Sequence, residues 1–314
     1  MKVIVVTGAT SMIGSALIRS CLRHDVQRVY AVVRPGCKKM ERLPRDERIR
    51  VVECPIDKYD TLPERIPEKC DVFYHIAWSL TGAVRNSDLA EQARNVLYTL
   101  QAVGAAKALG CEKFIGAGSQ AEYGKSNAEK ISPDTPVDPV QPYGIVKYAA
   151  GKLAMESARR MGISCLWVRI FSVYGIFDKP TSMISTALPK MLKGEKVPFT
   201  AGDQIWDYLY SEDAGEAFYL IGEKAEGCKV YCLGSGEGRK LKTFIAEMRD
   251  AVNPDLELGL GEIPYTDSTV MQLCADIDAL HRDTGFLPRT PFPEGIRETI
   301  QWLRSGSIPT ERIE

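Results

Sequence analysis

Through residue 234, short apolar runs alternate with longer amphipathic stretches. Runs of strand length rich in Val, Ile and aromatic residues occur at KVIVV (2–6), RVYAVV (28–33), IRVVEC (49–54), DVFYHIA (71–77), KFIGAG (113–118), SCLWVRIF (164–171) and KVYCLG (229–234). Helical spacing of apolar residues marks MIGSALIRSCL (12–22) and the stretches 87–109 and 142–161. This alternation predicts an α/β chain, a doubly wound, mainly parallel sheet with helices on both faces and ligands at the carboxyl ends of the strands. From about residue 176 the pattern is less regular, and after 235 the elements shorten and become rich in Gly and Pro. The expected organisation is a main domain of residues 1–175 and 205–234, with a smaller C-terminal substrate-binding lobe from 176–204 and 235–314.

VTGATSMIG (6–14) joins the first strand to the first helix. In a glycine turn of this kind, backbone N–H groups and the positive helix end face a dinucleotide pyrophosphate, which makes the main domain Rossmann-like. Gly8 and Gly14 fit the outer glycine roles. Ser11 stands where a middle glycine is expected, with a small side chain and a hydroxyl able to donate to phosphate. A turn with no ligand, serving only to link strand to helix, is the structural alternative.

PYGIVK (142–147) sets Tyr143 and Lys147 four residues apart on one face of a predicted helix. Alone the pair fits any amphipathic helix. Its place changes the reading, because it follows the strand of 113–118, with Ser119 at the carboxyl edge that should flank a nicotinamide. The three residues suit hydride transfer at a carbinol or ketone. Tyr143 would exchange the proton, its pKa brought down from about 10 by a neighbouring ammonium and an oxidised nicotinamide. Lys147 supplies that charge and can bond the cofactor ribose, while Ser119 orients the substrate oxygen.

With 314 residues, 45% of them hydrophobic, the chain can fill one large domain and a lobe. A formal charge of −1 and a pI near 6.4 argue against general binding of nucleic acid, so an anionic ligand must be caught locally. The run KKMERLPRDERIR (38–50) mixes acids with bases and reads as a solvated loop. The first strand breaks at Gly8, far short of a signal-peptide core, and no apolar run approaches the ~18 residues of a membrane span. A cytoplasmic protein without a membrane partner is expected. Nine scattered cysteines without CxxC clusters fit reduced thiols, and with three histidines no metal site is expected.

Further segments join these motifs: CPID (54–57), HIA (75–77), NVLYT (95–99), GSQAEYG (118–124), RIFSVYG (169–175), WDYLYSEDAGEAF (206–218) and DIDALHRDTGFLPRTPFPEGIRETIQWLR (276–304). Taken together, the chain resembles the extended short-chain dehydrogenase/reductases of the NAD-dependent epimerase/dehydratase group, which modify nucleotide sugars. The resemblance spans nearly the whole chain. It implies a cofactor held by Gly8, Thr10, Ser11, Met12, Ile13 and Gly14, with Ile56 and Asp57 at adenine, Ala77 beside the nicotinamide, and Tyr143 and Lys147 at the ribose. His75 is expected to be a packed strand residue beside the cofactor, and Asn95 to bond a strand backbone near the site. The resemblance leaves room for a homodimer.

Several departures from the family pattern bear on cofactor and reaction. Where NAD-preferring members close the second strand with an acid, this chain has Arg34, which suits the 2′-phosphate of NADP; if Arg34 stacks on adenine instead, NAD stays usable. The family's 4,6-dehydratases follow their catalytic Ser or Thr with an acidic pair, and here Gln120 and Ala121 follow Ser119. An NADPH-dependent 4-keto-sugar reductase is therefore the favoured expectation, with a 4-epimerase recycling tightly held NAD as the alternative. A dinucleotide-sensing regulator would have no need of Tyr143, and cousins acting on apolar ketones would need a pocket without diphosphate contacts. At the substrate, Trp206 replaces the arginine that grips a diphosphate in relatives, and Ser172 replaces a substrate-bonding asparagine. Trp206 either caps the lobe's core or stacks on ligand, with Lys190, Lys193 or Arg239 meeting the diphosphate. The predicted substrate site places Ser119, Tyr143 and Ser172 near the reacting carbon of a nucleotide sugar.

Overall fold

The computed structural model describes residues 1–267, 269–306 and 308. The chain runs β1 (Val3–Thr7), α1 (Met12–Arg23), β2 (Arg28–Val33), β3 (Ile49–Glu53), α2 (Leu62–Arg65), β4 (Val72–His75), α3 (Leu89–Ala108), β5 (Lys113–Ser119), α4 (Pro142–Met161) and β6 (Ser164–Ile170). It continues with β7 (Ser172–Tyr174), α5 (Met183–Met191), β8 (Val197–Phe199), β9 (Ile205–Trp206), β10 (Tyr208–Tyr210), α6 (Ser211–Lys224) and β11 (Cys228–Leu233). The remaining elements are β12 (Arg239–Lys240), α7 (Leu241–Val252), β13 (Leu258–Leu260), α8 (Asp278–Thr284) and α9 (Phe292–Ser305).

Seven parallel strands form one sheet in the order β3-β2-β1-β4-β5-β6-β11. The order reverses between β1 and β4, and that switch point opens a crevice at the strands' carboxyl ends. Continuous apolar strands are what two-sided burial requires. Ile4 and Val6 of β1 enter a core with Leu17 and Ile18 of α1 and Ala214, Ala217 and Phe218 of α6. Val5 points the other way, toward Ala102 and Val103 of α3 and Ala150 and Ala154 of α4. Each fully buried Val or Ile contributes about 1.5–3 kcal/mol.

Four predicted strands end one or two residues early, and at two of them the local reason is plain. Cys54 still donates its N–H to the Val33 carbonyl, but Pro55 follows and the chain turns into a short helical stretch at Ile56–Thr61. Beyond His75, Ile76 and Ala77 leave the sheet to pass against Gly8. The long helices have clear ends: Asp88 caps α3 by accepting from the Glu91 N–H (3.0 Å), and α4 starts at Pro142 and stops at Gly162, which has φ +66°.

A separate apolar cluster joins Ile184, Leu188 and Met191 of α5 to Phe244 and Met248 of α7 and Phe292, Ile296 and Ile300 of α9. Tyr174 and Tyr210 tie it to the paired strands β7 and β10, which lie beyond the end of β6. Among the described residues no helix is long and apolar enough to cross a membrane.

Candidate active site

At the switch point the turn after β1 has the backbone of a phosphate cradle. Gly8 has φ +68°, and a Cβ there would stand 2.7 Å from the Ala77 nitrogen. A Cβ on Gly14 would stand 2.3 Å from the Gly8 carbonyl oxygen. Both positions demand glycine. Ser11 does not, because its φ of −73° is open to any L-residue. Its hydroxyl caps α1 by accepting from the Gly14 N–H (3.0 Å), which leaves the hydroxyl proton free to donate. The amides of Met12 and Ile13 lie in the open first turn of the helix, where no intrahelical acceptor exists. Glycines that a Cβ would fill, beside free helix-end amides, fit a dinucleotide pyrophosphate.

Around this turn, Arg34 is exposed at the end of β2, where its carbonyl accepts from the Cys37 N–H (3.2 Å). Arg42 comes closer. It donates to the Thr10 carbonyl (3.4 Å) and lies 4.6 Å from the Phe177 ring centroid. Its Nε is buried without a partner among the described residues, and burial lowers its pKa. The solvated loop expected at 38–50 thus turns inward at Arg42 and Leu43, the latter being 8% exposed. Ile56 and Ala77 are half-buried, and Asp57 is exposed with its carbonyl taking a bond from Gln101.

The triad residues meet where β5 and α4 converge. Ser119 ends β5 and starts the short turn Gln120–Tyr123, its Oγ accepting from the Ala121 N–H (3.2 Å). Burial raises the Tyr143 pKa, while the Ser119 hydroxyl and then the Arg85 guanidinium lower it. Lys147 is 3% exposed, too deeply placed for a lysine on a solvated helix face. Its Nζ donates to the Ala117 carbonyl (2.6 Å), lies 3.5 Å from the Trp78 ring centroid and 5.9 Å from that of Tyr143. Burial pushes its pKa down to about 7, against the pull of Glu122.

Sequence spacing does not disclose the walls of this site. Trp78 follows HIA and roofs Lys147; its indole donates to Gln92 Oε1 (3.0 Å). Gln92 is fully buried and in turn donates to the Leu80 and Arg85 carbonyls, pinning the loop that carries Arg85 to within 5.4 Å of the Tyr143 ring centroid. Asn86 in the same loop accepts from the Tyr143 N–H (3.1 Å). Asn95 accepts from the Ser79 N–H (2.7 Å) and donates to its carbonyl. His75 lies between Thr7 Oγ1 (3.0 Å) and Thr99 Oγ1 (3.4 Å), and burial pushes its pKa down to about 3. His75 and Asn95 carried a signal through the resemblance at HIA and NVLYT; of the other walls only Trp78, a large ring beside HIA, stood next to a recognised segment.

Beyond the end of β6, Ser172 is half-buried in β7, opposite Tyr208 of β10. Trp206 packs partly buried against two apolar clusters, and its Nε1 is buried without a partner among the described residues. Directly across the antiparallel β9–β12 pair stands Arg239. Its guanidinium grips Glu247 through both terminal nitrogens (2.7 and 2.9 Å) and lies 4.1 Å from the Phe244 ring centroid. Lys190 and Lys193 are exposed at the end of α5 and just past it. Asp207 is fully buried, accepting from the N–H groups of Ser235, Gly236 and Ala275, and so ties β9 and β10 to the end of β11.

A parallel doubly wound sheet, a glycine cradle at its switch point and a Ser-Tyr-Lys group beside it, with the lysine buried, define a fold of the extended short-chain dehydrogenase/reductase type. The model of the NAD dependent epimerase/dehydratase family matches residues 4–234, and the chain belongs to that family. It is 24% identical over 342 residues to the dTDP-glucose 4,6-dehydratase of Haemophilus influenzae, covering 98% of this chain and 99% of the relative. The UDP-glucose 4-epimerase of Thermotoga maritima, solved with UDP-glucose, has the same fold, with a TM-score of 0.85 at 23% identity over 97% of this chain and 99% of that one. MoeE5, solved with UDP-glucuronic acid and NAD, gives a TM-score of 0.82 at 27% identity, covering 98% of this chain and all (100%) of that one.

Proposed function

We propose that this member of the family is a nucleotide-sugar 4-epimerase. The family's name covers two chemistries, and one observation separates them here. Elimination of water needs acids beside the catalytic hydroxyl, whereas Gln120 and Ala121 follow Ser119. Neither can act as a general acid or base. What remains is reversible oxidation at C4, for which Ser119, Tyr143 and Lys147 suffice.

Tyr143, once ionised, takes the proton of the C4 hydroxyl and later returns it to the carbonyl oxygen. Ser119 donates to the same oxygen as charge develops. The Arg85 guanidinium favours the phenolate electrostatically, and Lys147, whose pKa burial brings down to about 7, adds to this in its protonated form. Gly8, Thr10, Ser11, Met12, Ile13, Gly14, Ile56, Asp57 and Ala77 would hold the dinucleotide. When bound, it supplies reversible hydride acceptance. MoeE5 was solved with NAD and a UDP-sugar, which makes NAD and UDP-sugars the first ligands to test. The sugar nucleotide would lie between the strands' carboxyl ends and residues 176–206, near Ser172 and Trp206. Arg239 would face its diphosphate, with Glu247 occupying two of the five guanidinium donors and holding the rest in place.

One observation favours a second reading, the NADPH-dependent 4-keto-sugar reductase: Arg34 closes β2, where the family resemblance places an acid in NAD users, and Arg42 lies nearby over the glycine turn. The two readings part on cofactor handling. The epimerase should be purified with nearly one NAD per chain and should interconvert C4 epimers of a UDP-sugar without added cofactor. Protein that is isolated free of cofactor and consumes NADPH in proportion to a 4-keto sugar would sink the epimerase.

A further inference from the structure

Ser119 is held from behind by a buried charge that its chemistry does not require. The Glu122 carboxylate is fully buried. Its Oε1 accepts from the Ser119 backbone N–H (2.8 Å) and from the Trp167 indole N–H (2.9 Å), and its Oε2 accepts from Arg169 Nε (2.8 Å). Ser119 and Glu122 form a capping box around the turn Gln120–Tyr123. Capping boxes work with a solvated glutamate, so capping does not explain this burial. Nor does stability: taking two charges out of water costs several kcal/mol per ion, and apolar replacements of a buried pair are often neutral or better.

The surroundings are shaped for this arrangement. Trp167 lies flat against three glycines; a Cβ at Gly116, Gly118 or Gly151 would stand 2.3, 2.5 or 2.6 Å from its indole. That clearance lets the ring reach Glu122 at one side and come within 6.0 Å (ring centroid) of the Lys147 Nζ at the other. Arg169 is fixed by the Pro133 carbonyl (3.3 Å) and lies 4.5 Å from the Tyr123 ring centroid.

We propose that Glu122 is the positioning residue of the active site: braced by Trp167 and charge-balanced by Arg169, it fixes the Ser119 backbone so that the hydroxyl meets both Tyr143 and the substrate oxygen. Glu122 touches neither substrate nor cofactor and acts through Ser119. The inference rests on Ser119 being the residue that orients the reacting oxygen.

The test compares four variants in steady-state epimerisation and in NAD binding by calorimetry. Glu122→Met with Arg169→Met leaves no orphaned charge and should fold; its kcat should fall about 10²-fold, the cost of a misplaced reacting group, with KM and NAD affinity within about twofold. Glu122→Gln with Arg169→Met restores the acceptor for both N–H groups and should recover most of that loss. Trp167→Phe, which removes a single donor, should cost about tenfold in kcat. Wild-type kcat in the folded Met double variant and in Trp167→Phe, with Ser119→Ala inactive, would overturn the role of Glu122 alone. Full activity in Ser119→Ala would overturn the epimerase mechanism and this inference with it.

Discussion

The two places proposed to meet phosphate are built in different ways. The turn from Gly8 to Gly14 uses backbone: one left-handed glycine, one glycine pressed against a carbonyl, and the open amides of α1. The other uses side chains, with Trp206 at the position to which the family resemblance gives an arginine and Arg239 across the strand pair from it. A backbone site constrains only the positions where a Cβ collides, so serine is admitted at 11. A side-chain site constrains a location in space, and a charge can be delivered to it from either of two paired strands. The first kind leaves a spacing in the sequence and the second does not.

The sharpest break between the halves should come at the proton donor, which belongs to neither. Replacing Tyr143 by Phe removes only a hydroxyl from a packed ring and should lower kcat about 10³-fold, within the range for a general acid or base. NAD binding should persist, since the cradle lies elsewhere. If epimerisation survives in Tyr143→Phe while NAD binding fails, the residue serves the cofactor and the assignment of roles is wrong.

The cofactor side should also be the acid-sensitive one. His75 is buried neutral, with its pKa pushed down to about 3 by loss of hydration. The unfolded chain takes up this proton near pH 6.5, so the stability contributed by neutral His75 is complete above that value and is lost as pH falls toward 3. His75→Gln should keep bonds to Thr7 and Thr99 and flatten that decline, narrowing the gap in unfolding free energy between pH 7 and pH 4 by on the order of 3 kcal/mol. Parallel declines in both proteins under urea denaturation would mean that other groups set the acid limb.

Much of the fold was legible because two-sided burial writes itself as unbroken apolar strands, and amphipathic spacing marks α1, α3 and α4. The glycine cradle and the Ser119, Tyr143 and Lys147 group could be found for the same reason: regular spacing maps onto regular geometry. Arg42 was hidden within a charged run, because charge pattern does not reveal which one of several bases folds inward over Phe177. Trp78 and Arg85 reach the site from the connection between β4 and α3 and Glu122 from the turn after β5, and their convergence is a property of tertiary packing. Glu122 was in view throughout as the fourth residue of SQAE, yet its burial depends on an indole forty-five residues later.

Gly8→Val tests the backbone half directly. A branched side chain at φ +68°, with Ala77 only 2.7 Å from its Cβ, should cost about 1–3 kcal/mol in backbone strain and abolish measurable NAD binding. On the other half, Arg239→Met should leave NAD binding and kcat alone and raise KM for a UDP-sugar about tenfold, the loss of one charge-assisted bond. An unchanged KM would confine Arg239 to its pair with Glu247 and shift attention to Lys190 and Lys193.

The smallest effect decides what the serine at position 11 is for. If Ser11 serves chiefly as the cap of α1, Ser11→Gly loses the side-chain acceptor of the Gly14 N–H, yet glycine is itself tolerated at a helix N-cap, so the cost should be only a few tenths of a kcal/mol in unfolding free energy. NAD affinity should stay within about twofold, because the donors that face a pyrophosphate are backbone amides that glycine retains. Ser11→Ala separates the two roles further: it keeps the φ of −73° but removes the oxygen, and should cost about 1 kcal/mol, again without a large loss of affinity. A tenfold weaker grip on NAD in both variants, with stability intact, would instead make the hydroxyl a phosphate donor and the turn less purely a backbone site than its neighbours suggest.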